Sequence, residues 1–225
     1  MSGVFPFLPA WPGPGSSAPV VEDTATGGGQ GGLNYDMALP TGITSGETLI
    51  GFISMHSAVG FTWPGGWTEL IDHNGSNVDF SIGYKKATGS EGSSITITGS
   101  AAGAWLTTCY RISGASDPTV LPPEKAVVSN GTGTSSTHNA LTPYNGQKNY
   151  LWLAFTCGQP AGNCYPYSLP TNYTGLIEGQ TSTIWVDHAR ANAHRYWPAE
   201  SEKPDGFGFN GTGYWQAITA VIHPA

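Results

Sequence analysis

The sequence is poor in charged residues, and positive charge is missing from its first third. Only 10% of the 225 residues are Asp, Glu, Lys or Arg, against the usual quarter of a soluble protein. Residues 1–84 carry seven acids and no base, because the first Lys or Arg is Lys85, and the formal net charge is −7. Phosphate binding needs clustered Lys and Arg. We therefore expect no nucleic-acid partner.

Cysteine is also scarce. The three cysteines are too few for a disulfide scaffold, and their spacing does not match a zinc site. Cys109 falls in a predicted strand and is interpreted as a small buried hydrophobic residue. Cys157 and Cys164 flank a Gly/Pro loop and could form a disulfide in an oxidising setting, which the sequence leaves open. No metal ion and no cofactor is predicted.

Long hydrophobic runs are absent. Met1–Leu8 has no basic residue, and Pro6, Pro9, Pro12 and Pro14 interrupt the segment where a signal peptide would have its apolar helix. No run approaches the length of a membrane span. We expect a protein that is made in the cytoplasm, with no signal peptide and no membrane partner.

Helix signals are missing as well. The chain has 32 glycines and 17 prolines, and no capped window places apolar residues at helical spacing. The predicted class is all-β. We expect two parts, an extended proline-rich arm over residues 1–17 and one β-sandwich domain over residues 18–225.

What is present is a pattern of strands over residues 48–114. Thr48 to Ser57 alternates two sets of side chains with a period of two, as a strand does. The runs at 67–72 and 78–87 are separated by an Asn74-Gly75 turn and predict a hairpin. Ala104 to Ser113 is the last strand of this unit. Before it, residues 18–26 and 33–39 are read as strands and the glycine run 27–32 as a flexible turn.

A looser copy of this unit follows between residues 149 and 224. Residues 170–177 (PTNYTGLI) match residues 64–71 (PGGWTELI) without a gap, residues 183–192 take the place of 78–87, and Trp215 falls on Trp105. A loop is expected at 193–210. An internal repeat of about four strands that occurs twice predicts a jelly-roll β-sandwich built from two Greek-key-like halves.

The arm combines apolar side chains with prolines that favour an extended path. Its apolar residues, interpreted as the groups that bind a partner, are Val4, Phe5, Phe7, Leu8 and Trp11. The arm is predicted to dock into grooves on a neighbouring subunit. The alternatives are that it covers an edge of its own sheet or is disordered.

A catalytic arrangement is not predicted. Asp187 and His188 are adjacent on a strand and point to opposite faces, and Asp72-His73 lies at a turn without a nucleophile nearby. His188 and Arg190 share a face, which is interpreted as a solvated polar face. Paired carboxylates for glycoside hydrolysis cannot be identified from sequence, because their separation is a three-dimensional quantity.

Aromatic residues in predicted loops offer an alternative function. A flat platform for stacking on a sugar could be formed by Trp63, Tyr165, Tyr167 and Trp197. Packing within the loops is the other interpretation of the same residues.

The order and spacing of several segments carry a resemblance to a known family. The segments are TATGGG, ALPTGITSGETLIGFIS, PGGWTELID, YKKATGSEGSSITIT, YRISGA and YWQAITAVIHP. Over about residues 18–225 the chain resembles a family of small jelly-roll virion structural proteins of tailed bacteriophages. The arm lies outside the matched pattern.

The resemblance implies a non-enzymatic protein of the virion. It would bind other virion proteins, the major capsid protein or tail subunits, most simply as a capsid decoration or cement protein that stabilises the particle. Repeated sites on a phage particle lie on symmetry axes, so we expect a homo-oligomer, with a trimer favoured. The alternative is a tail-associated receptor- or carbohydrate-binding module. Neither the resemblance nor the sequence decides between head and tail.

Overall fold

The computed structural model describes residues 18–56, 60–75, 77–160, 166–182 and 187–225. Within these ranges the regular structure is all-β, without a helix, as predicted. The fifteen strands are β1 (Val20–Gln30), β2 (Asn34–Ala38), β3 (Thr48–Met55), β4 (Phe61–Thr62), β5 (Thr68–His73), β6 (Asp79–Lys86), β7 (Ser94–Gly99), β8 (Ala104–Ser113), β9 (Glu124–Lys125), β10 (Ser129–Ser135), β11 (Lys148–Pro160), β12 (Pro166–Ser168), β13 (Thr174–Ser182), β14 (Asp187–Ala199) and β15 (Gly208–Ile222).

Two antiparallel sheets form the body of the protein. The first has the order β1-β8-β3-β6-β5, and the second has the order β10-β15-β11-β14-β13, with β9 and β12 also paired to β15. Each strand of the first sheet therefore has a counterpart at the same place in the second. A third sheet of three short strands, β2-β7-β4, belongs to the first half of the chain.

The two main sheets pack face to face around one apolar core. In the first sheet Ile50 and Phe52 point into this core, and in the second sheet Leu153 and Phe155 do so. The alternating residues Leu49 and Ile53 of β3 point the other way and contact the β2-β7-β4 sheet. Over β3 this is the period of two that the sequence predicts for residues 48–57, and both faces of β3 are buried.

Separate layers cover the outer faces of both sheets. On the first sheet the cover is the small β-sheet, with Tyr35, Met37 and Ile97 fully buried. On the second sheet the loops that carry Leu141 and Phe207 lie over Trp152. Because both faces of each sheet are covered near its centre, β3 is buried along its whole length and β11 is buried from Tyr150 to Gly158.

The register of the strands confirms that the two halves correspond. Trp105 lies opposite Met55 in the first sheet, and Trp215 lies opposite Gly158 in the second. Phe52 stands three residues before Met55, and Phe155 stands three residues before Gly158. The two phenylalanines therefore occupy equivalent positions, one in each half.

The gapless sequence match is also a match in backbone conformation. Gly66 and Asn172 are equivalent and both have a positive φ, 84° and 64°. In each turn the aromatic residue that follows donates its N–H to the carbonyl of the proline, at 3.2 Å in the first half and 3.1 Å in the second. A register shift interrupts β5 and β13 soon after this turn in both halves.

Most of the predicted glycine turn at 27–32 is part of strand β1, and only Gly31 and Gly32, both with a positive φ, lie in the turn that follows. Strand β1 continues through Gly29, which pairs with Trp105. A Cβ at Gly29 would lie 2.7 Å from Cζ2 of that indole, and a Cβ at Gly131 would lie 2.7 Å from Cζ2 of Trp215. These glycines make room for equivalent tryptophans.

Three further details differ from the prediction. The jelly-roll connectivity is not confirmed, because each main sheet takes all its strands from one half and β5 lies beyond β6 instead of next to β3. The repeat of β6 begins five residues later than the sequence match placed it, so that Phe80 corresponds to Arg190. Strand β14 extends to Ala199, which shortens the loop predicted at 193–210.

Candidate functional site

The sandwich has two ends, and at one of them the chain segments that follow β8 and β15 meet, where Ala115 pairs with Pro224. Strand β1 begins at this end, where Val20 pairs with Ser113. The last residues of β15 reach the same end, since the N–H of Ser116 donates to the carbonyl of His223 at 2.9 Å. We call this the arm end, because the chain enters the sandwich here from residues 1–17. The opposite end is called the far end.

Most of the exposed large apolar side chains among the described residues lie at the arm end. Those at the arm end are Val20 (42% exposed), Val120 (80%), Tyr144 (64%), Tyr196 (40%) and Trp197 (45%). Of the other two, Leu33 lies in the β1–β2 turn at the far end and Val127 lies between β9 and β10. Exposed apolar groups that gather in one region mark interaction surfaces.

Trp197 is positioned by strand β14 and by its neighbours. It pairs with Tyr150 on the outer face of the second sheet. Its carbonyl accepts a hydrogen bond from the indole N–H of Trp152 at 3.0 Å. The guanidinium of Arg195 lies 4.4 Å from the ring centroid, and Arg195 forms an ion pair with Glu202 at 3.1 Å. The indole is thus held in place with part of its surface open.

Tyr144 lies in the turn before β11. Its ring contacts the imidazole of His223, with centroids 5.6 Å apart, and its N–H donates to the Glu124 carboxylate at 3.3 Å. The same turn is attached to β14, because Nε2 of Gln147 donates to the carbonyl of Pro198 at 2.9 Å. Trp197 and Tyr144 therefore lie on two segments of the outer face that this hydrogen bond connects.

The predicted partner-binding residues of the arm, Val4, Phe5, Phe7, Leu8 and Trp11, lie outside the described residues. The described chain begins with Ala18 at the arm end. Close to this start, the N–H of Val21 donates to the hydroxyl of Tyr196 at 2.8 Å. The root of the arm is thereby attached to the second sheet.

Trp63 is buried and does not offer an open face. It is 9% exposed, stacks on Trp67 with centroids 5.2 Å apart, and donates its indole N–H to Ser81 at 2.8 Å. Glycines lie beneath it, since a Cβ at Gly83 would be 2.5 Å from the ring. Its position is that of a packing residue.

The four aromatic residues suggested for a sugar platform are not brought together in the described part. Trp63 packs on the outer face of the first sheet and Trp197 on the outer face of the second, so they point in opposite directions. Tyr165 lies outside the described residues, and for Tyr167 only the backbone in β12 is described. Tyr144, which the sequence analysis did not select, is an exposed aromatic residue in a turn that is hydrogen-bonded to Pro198, the residue after Trp197.

A row of polar side chains on β14 faces the core between the sheets. The row consists of His188, Arg190, Asn192 and His194, and the first three are at most 2% exposed. Our interpretation of His188 and Arg190 as a solvated face was wrong, because the first sheet covers them. The equivalent strand β6 has Phe80 and Ile82 where β14 has Arg190 and Asn192.

Thr108 of strand β8 is the partner of this row. Its hydroxyl accepts hydrogen bonds from the Arg190 guanidinium and, at 2.7 Å, from Nδ2 of Asn192. None of the ion pairs between described residues includes Arg190. Burial lowers the pKa of the Arg190 guanidinium to about 10, and the nearby Tyr110 acts in the opposite direction.

At the far end the same row forms a serine–histidine contact. Ser54 Oγ lies 2.8 Å from His188 Nε2, and both side chains are fully buried. Burial lowers the pKa of His188 to about 3, and repulsion from His56 adds to the effect. A base with so low a pKa is poorly matched to proton transfer near neutral pH. The contact supports packing of the sheets.

The other histidine and carboxylate pair from the sequence also has structural partners. Asp72 accepts a hydrogen bond from the N–H of Phe61 at 3.1 Å, and burial raises the pKa of its carboxyl. The His73 ring instead packs on Phe80 with centroids 5.4 Å apart. The two neighbours in sequence thus face different surroundings.

Cys109 and Cys157 are free thiols in the interior, and burial raises the pKa of each. Cys164, the proposed partner of Cys157 in a disulfide, lies outside the described residues. Across the described ranges no three His, Cys, Asp or Glu side chains are grouped as a metal site would require. The described chain also contains no helix suited to crossing a membrane.

Comparison of the chain with protein-family models, with curated proteins and with solved structures finds no match.

Proposed function

We propose that this chain is a non-enzymatic structural protein of a tailed-bacteriophage particle. Its partners would be other virion subunits, the major capsid protein or tail proteins, and its role would be that of a capsid decoration or cement protein. It would be made in the host cytoplasm and act in the virion.

One observation carries the proposal. The uncharged, apolar arm joins the sandwich at the end where five of the exposed large apolar side chains lie. The arm is attached to the chain at this surface, so a neighbour that binds one of them can also contact the other. Apolar groups gathered in this way are typical of a surface that becomes covered in an assembly.

The mechanism we propose is attachment through many modest contacts. The arm residues Val4, Phe5, Phe7, Leu8 and Trp11 would occupy apolar pockets of a neighbour, where prolines reduce the entropy lost on ordering. A particle presents many copies of the same site, so several weak contacts act together as avidity. A closed homo-oligomer on a symmetry axis, with three copies favoured, would increase this effect.

Localisation in purified particles tests this proposal. An antibody against residues 18–225 should label intact particles at regular positions on the head. Labelling at the tail tip would replace the decoration role with the tail-associated alternative. Particles that contain none of the protein, by mass spectrometry as well as by labelling, would contradict a structural role in the virion.

A tail-associated receptor- or carbohydrate-binding module is the second proposal, and the half-exposed Trp197 favours it. An indole with part of its face open beside a paired Arg–Glu couple is a surface on which a sugar ring can stack. Trp63 is already covered and would not serve this purpose.

Adsorption to host cells distinguishes this second proposal. If a host glycan is bound, Trp197→Ala lowers adsorption of labelled protein by about tenfold or more, as loss of a central aromatic contact does. Leu33→Ala, which changes an exposed apolar residue at the far end, is the control. Equal adsorption of both variants would exclude Trp197 from a glycan site.

A further inference from the structure

We propose that the arm of one copy binds, as a polyproline II helix, across Trp197 and Tyr144 at the arm end of a second copy. This inference rests on the proposed function. It adds the surface that receives the arm and the partner that provides that surface.

The spacing of prolines in the arm supports the helical form of the ligand. Pro6, Pro9 and Pro12 recur every three residues. A polyproline II helix has three residues per turn and rises about 3.1 Å per residue, so these prolines lie along one edge at intervals of about 9 Å. Residues 1–17 contain no charged side chain. Segments of this kind bind grooves lined by aromatic rings.

The receiving surface offers two exposed aromatic rings, one on β14 and one packed against the end of β15. Trp197 belongs to β14, and Tyr144 packs on His223, which continues β15. Strand β11 lies between β14 and β15. Neighbouring strands are about 4.8 Å apart, so the backbones of β14 and β15 are separated by about 10 Å, a span close to one turn of a polyproline II helix.

Both rings face the same side of the sheet. Trp197 pairs with Tyr150, which belongs to the outer-face cluster. In β15, Val221 belongs to the same cluster and Ile222 points into the core. The side chain of His223 therefore faces outward, with Tyr144 against it. The hydrogen bond from Gln147 to the carbonyl of Pro198 also connects the turn that carries Tyr144 to the end of β14.

The charge of the surface fits an uncharged ligand. Arg195, the cation beside Trp197, is paired with Glu202 at 3.1 Å. Glu124, the anion beside Tyr144, lies 2.9 Å from His223 Nε2 and accepts the N–H of Tyr144. Arg195 and Glu124 thus have partners within the chain, and an arm without charges does not compete for them.

The path of the chain favours a second copy over the chain's own arm. The hydrogen bond from Val21 to the Tyr196 hydroxyl holds the root of the arm on the inner face of β14, whereas Trp197 points outward. An arm that returned to its own Trp197 would have to pass around the end of β14, from the inner to the outer side of the sheet. A neighbouring copy receives the arm without this change of side.

Sedimentation of the full chain tests the proposal. We expect reversible self-association that an excess of a synthetic peptide of residues 1–17 reduces to monomer. Trp197→Ala and, separately, Tyr144→Ala should each weaken self-association by about tenfold or more. Leu33→Ala, at the far end, should leave it unchanged. Unfolding curves for each variant confirm that the sandwich is intact, and Tyr144→Ala decides the matter if Trp197→Ala unfolds.

A second peptide tests the helical form. Replacement of Pro6, Pro9 and Pro12 by Ala should abolish the ability of the peptide to dissociate the full chain, while Pro14→Ala should retain it. Equal potency of all peptides would contradict the polyproline geometry. Self-association that is unchanged by both Trp197→Ala and Tyr144→Ala would overturn the proposed surface.

The remaining outcomes separate this inference from the proposed function. A full chain that stays monomeric at all concentrations overturns the role of a second copy. If changes in the arm still remove such a protein from particles, the arm binds another virion protein, and the proposed function stands without this inference. If the chain self-associates as described but is absent from particles, the inference stands and the proposed function fails.

Discussion

Phe52 and Phe155 stack at the centre of the sandwich, with ring centroids 5.0 Å apart and planes 7° from parallel. They hold equivalent positions in the two halves of the chain, as the register of β3 and β11 shows. The pseudo-symmetric arrangement thus brings a residue into contact with its own counterpart, and this contact joins the two sheets.

The stacked pair should be energetically coupled. Phe52→Ala or Phe155→Ala should each lower the free energy of unfolding by about 3–5 kcal/mol, the usual cost of removing a buried phenylalanine. Because the rings touch, the double variant should lose less than the sum of the single losses. Urea denaturation measures all three. Phe52→Ala with Phe207→Ala, which belongs to the outer cluster of the second sheet, is the additive control, and additivity in both pairs would contradict the coupling.

Two glycines of strand β10 provide a matched test of the tryptophan contact. A Cβ at Gly131 would lie 2.7 Å from Trp215 Cζ2, whereas nothing lies within 4 Å of a Cβ at Gly133. Gly131→Ala should destabilise the protein by about 1–3 kcal/mol through overpacking, and Gly133→Ala should change stability by no more than about 0.5 kcal/mol. Thermal unfolding of both variants compares them directly. Equal changes in stability for the two variants would show that packing of Trp215 does not require a glycine at position 131.

The polar row depends on Thr108. Thr108→Val removes the acceptor of both Arg190 and Asn192 and should cost about 1–3 kcal/mol, because buried donors lose their partner. Adding Arg190→Met and Asn192→Leu to Thr108→Val should restore most of that stability, since an apolar replacement of buried charge is often tolerated. Chemical denaturation of the single and triple variants checks this. A triple variant less stable than Thr108→Val would contradict the account.

Stability should fall on acidification, and His188 should contribute to the fall. The pKa of its imidazole is about 3 in the folded protein and about 6.5 in an unfolded chain. The unfolded state therefore binds the proton first, so the contribution is complete above pH 6.5 and is lost as pH falls from 6.5 towards 3. The slope from one such group is at most about 1.4 kcal/mol per pH unit.

His188→Gln isolates this contribution. Its unfolding free energy should depend less on pH than that of the unaltered protein between pH 6.5 and 4. Ser54→Ala keeps the imidazole and removes its partner, so its pH dependence should remain. Parallel curves for the unaltered protein and His188→Gln would show that this imidazole does not titrate on unfolding.

Local patterns predicted much of the fold. The alternation in residues 48–57 gave β3 and both of its faces, and the match between residues 64–71 and 170–177 gave equivalent turns. The sequence match between β6 and β14 was wrong by five residues. Arg190 and Asn192 stand where β6 has Phe80 and Ile82, so β14 lacks the apolar pattern that would have aligned the two strands. The correct offset follows only from the pairing with Phe155.

Other errors arise where a distant residue decides the outcome. Gly29 was predicted to be part of a flexible turn because the sequence does not show that the Trp105 side chain packs against it. His188 and Arg190 look solvated because sequence does not show which sheet covers a strand. Trp63 and Trp197 look alike in sequence, yet one is covered by its own sheet and the other is left partly open. Tyr144 stands beside the Asn145-Gly146 turn signal, which could have marked it as an exposed aromatic residue. That it shares the outer face of the second sheet with Trp197 depends on the strand order, which the sequence does not show.

The most direct test of the central claim is a competition for particles between the unaltered protein and a variant of its arm. The variant carries Phe5→Ser, Phe7→Ser, Leu8→Ser and Trp11→Ser, and Ser16→Ala with Ser17→Ala is the control. Isotope labelling distinguishes the proteins when purified particles are analysed by mass spectrometry. We expect the control to match the unaltered protein and the arm variant to be nearly excluded although it is folded. Equal incorporation of the arm variant would contradict attachment through the arm.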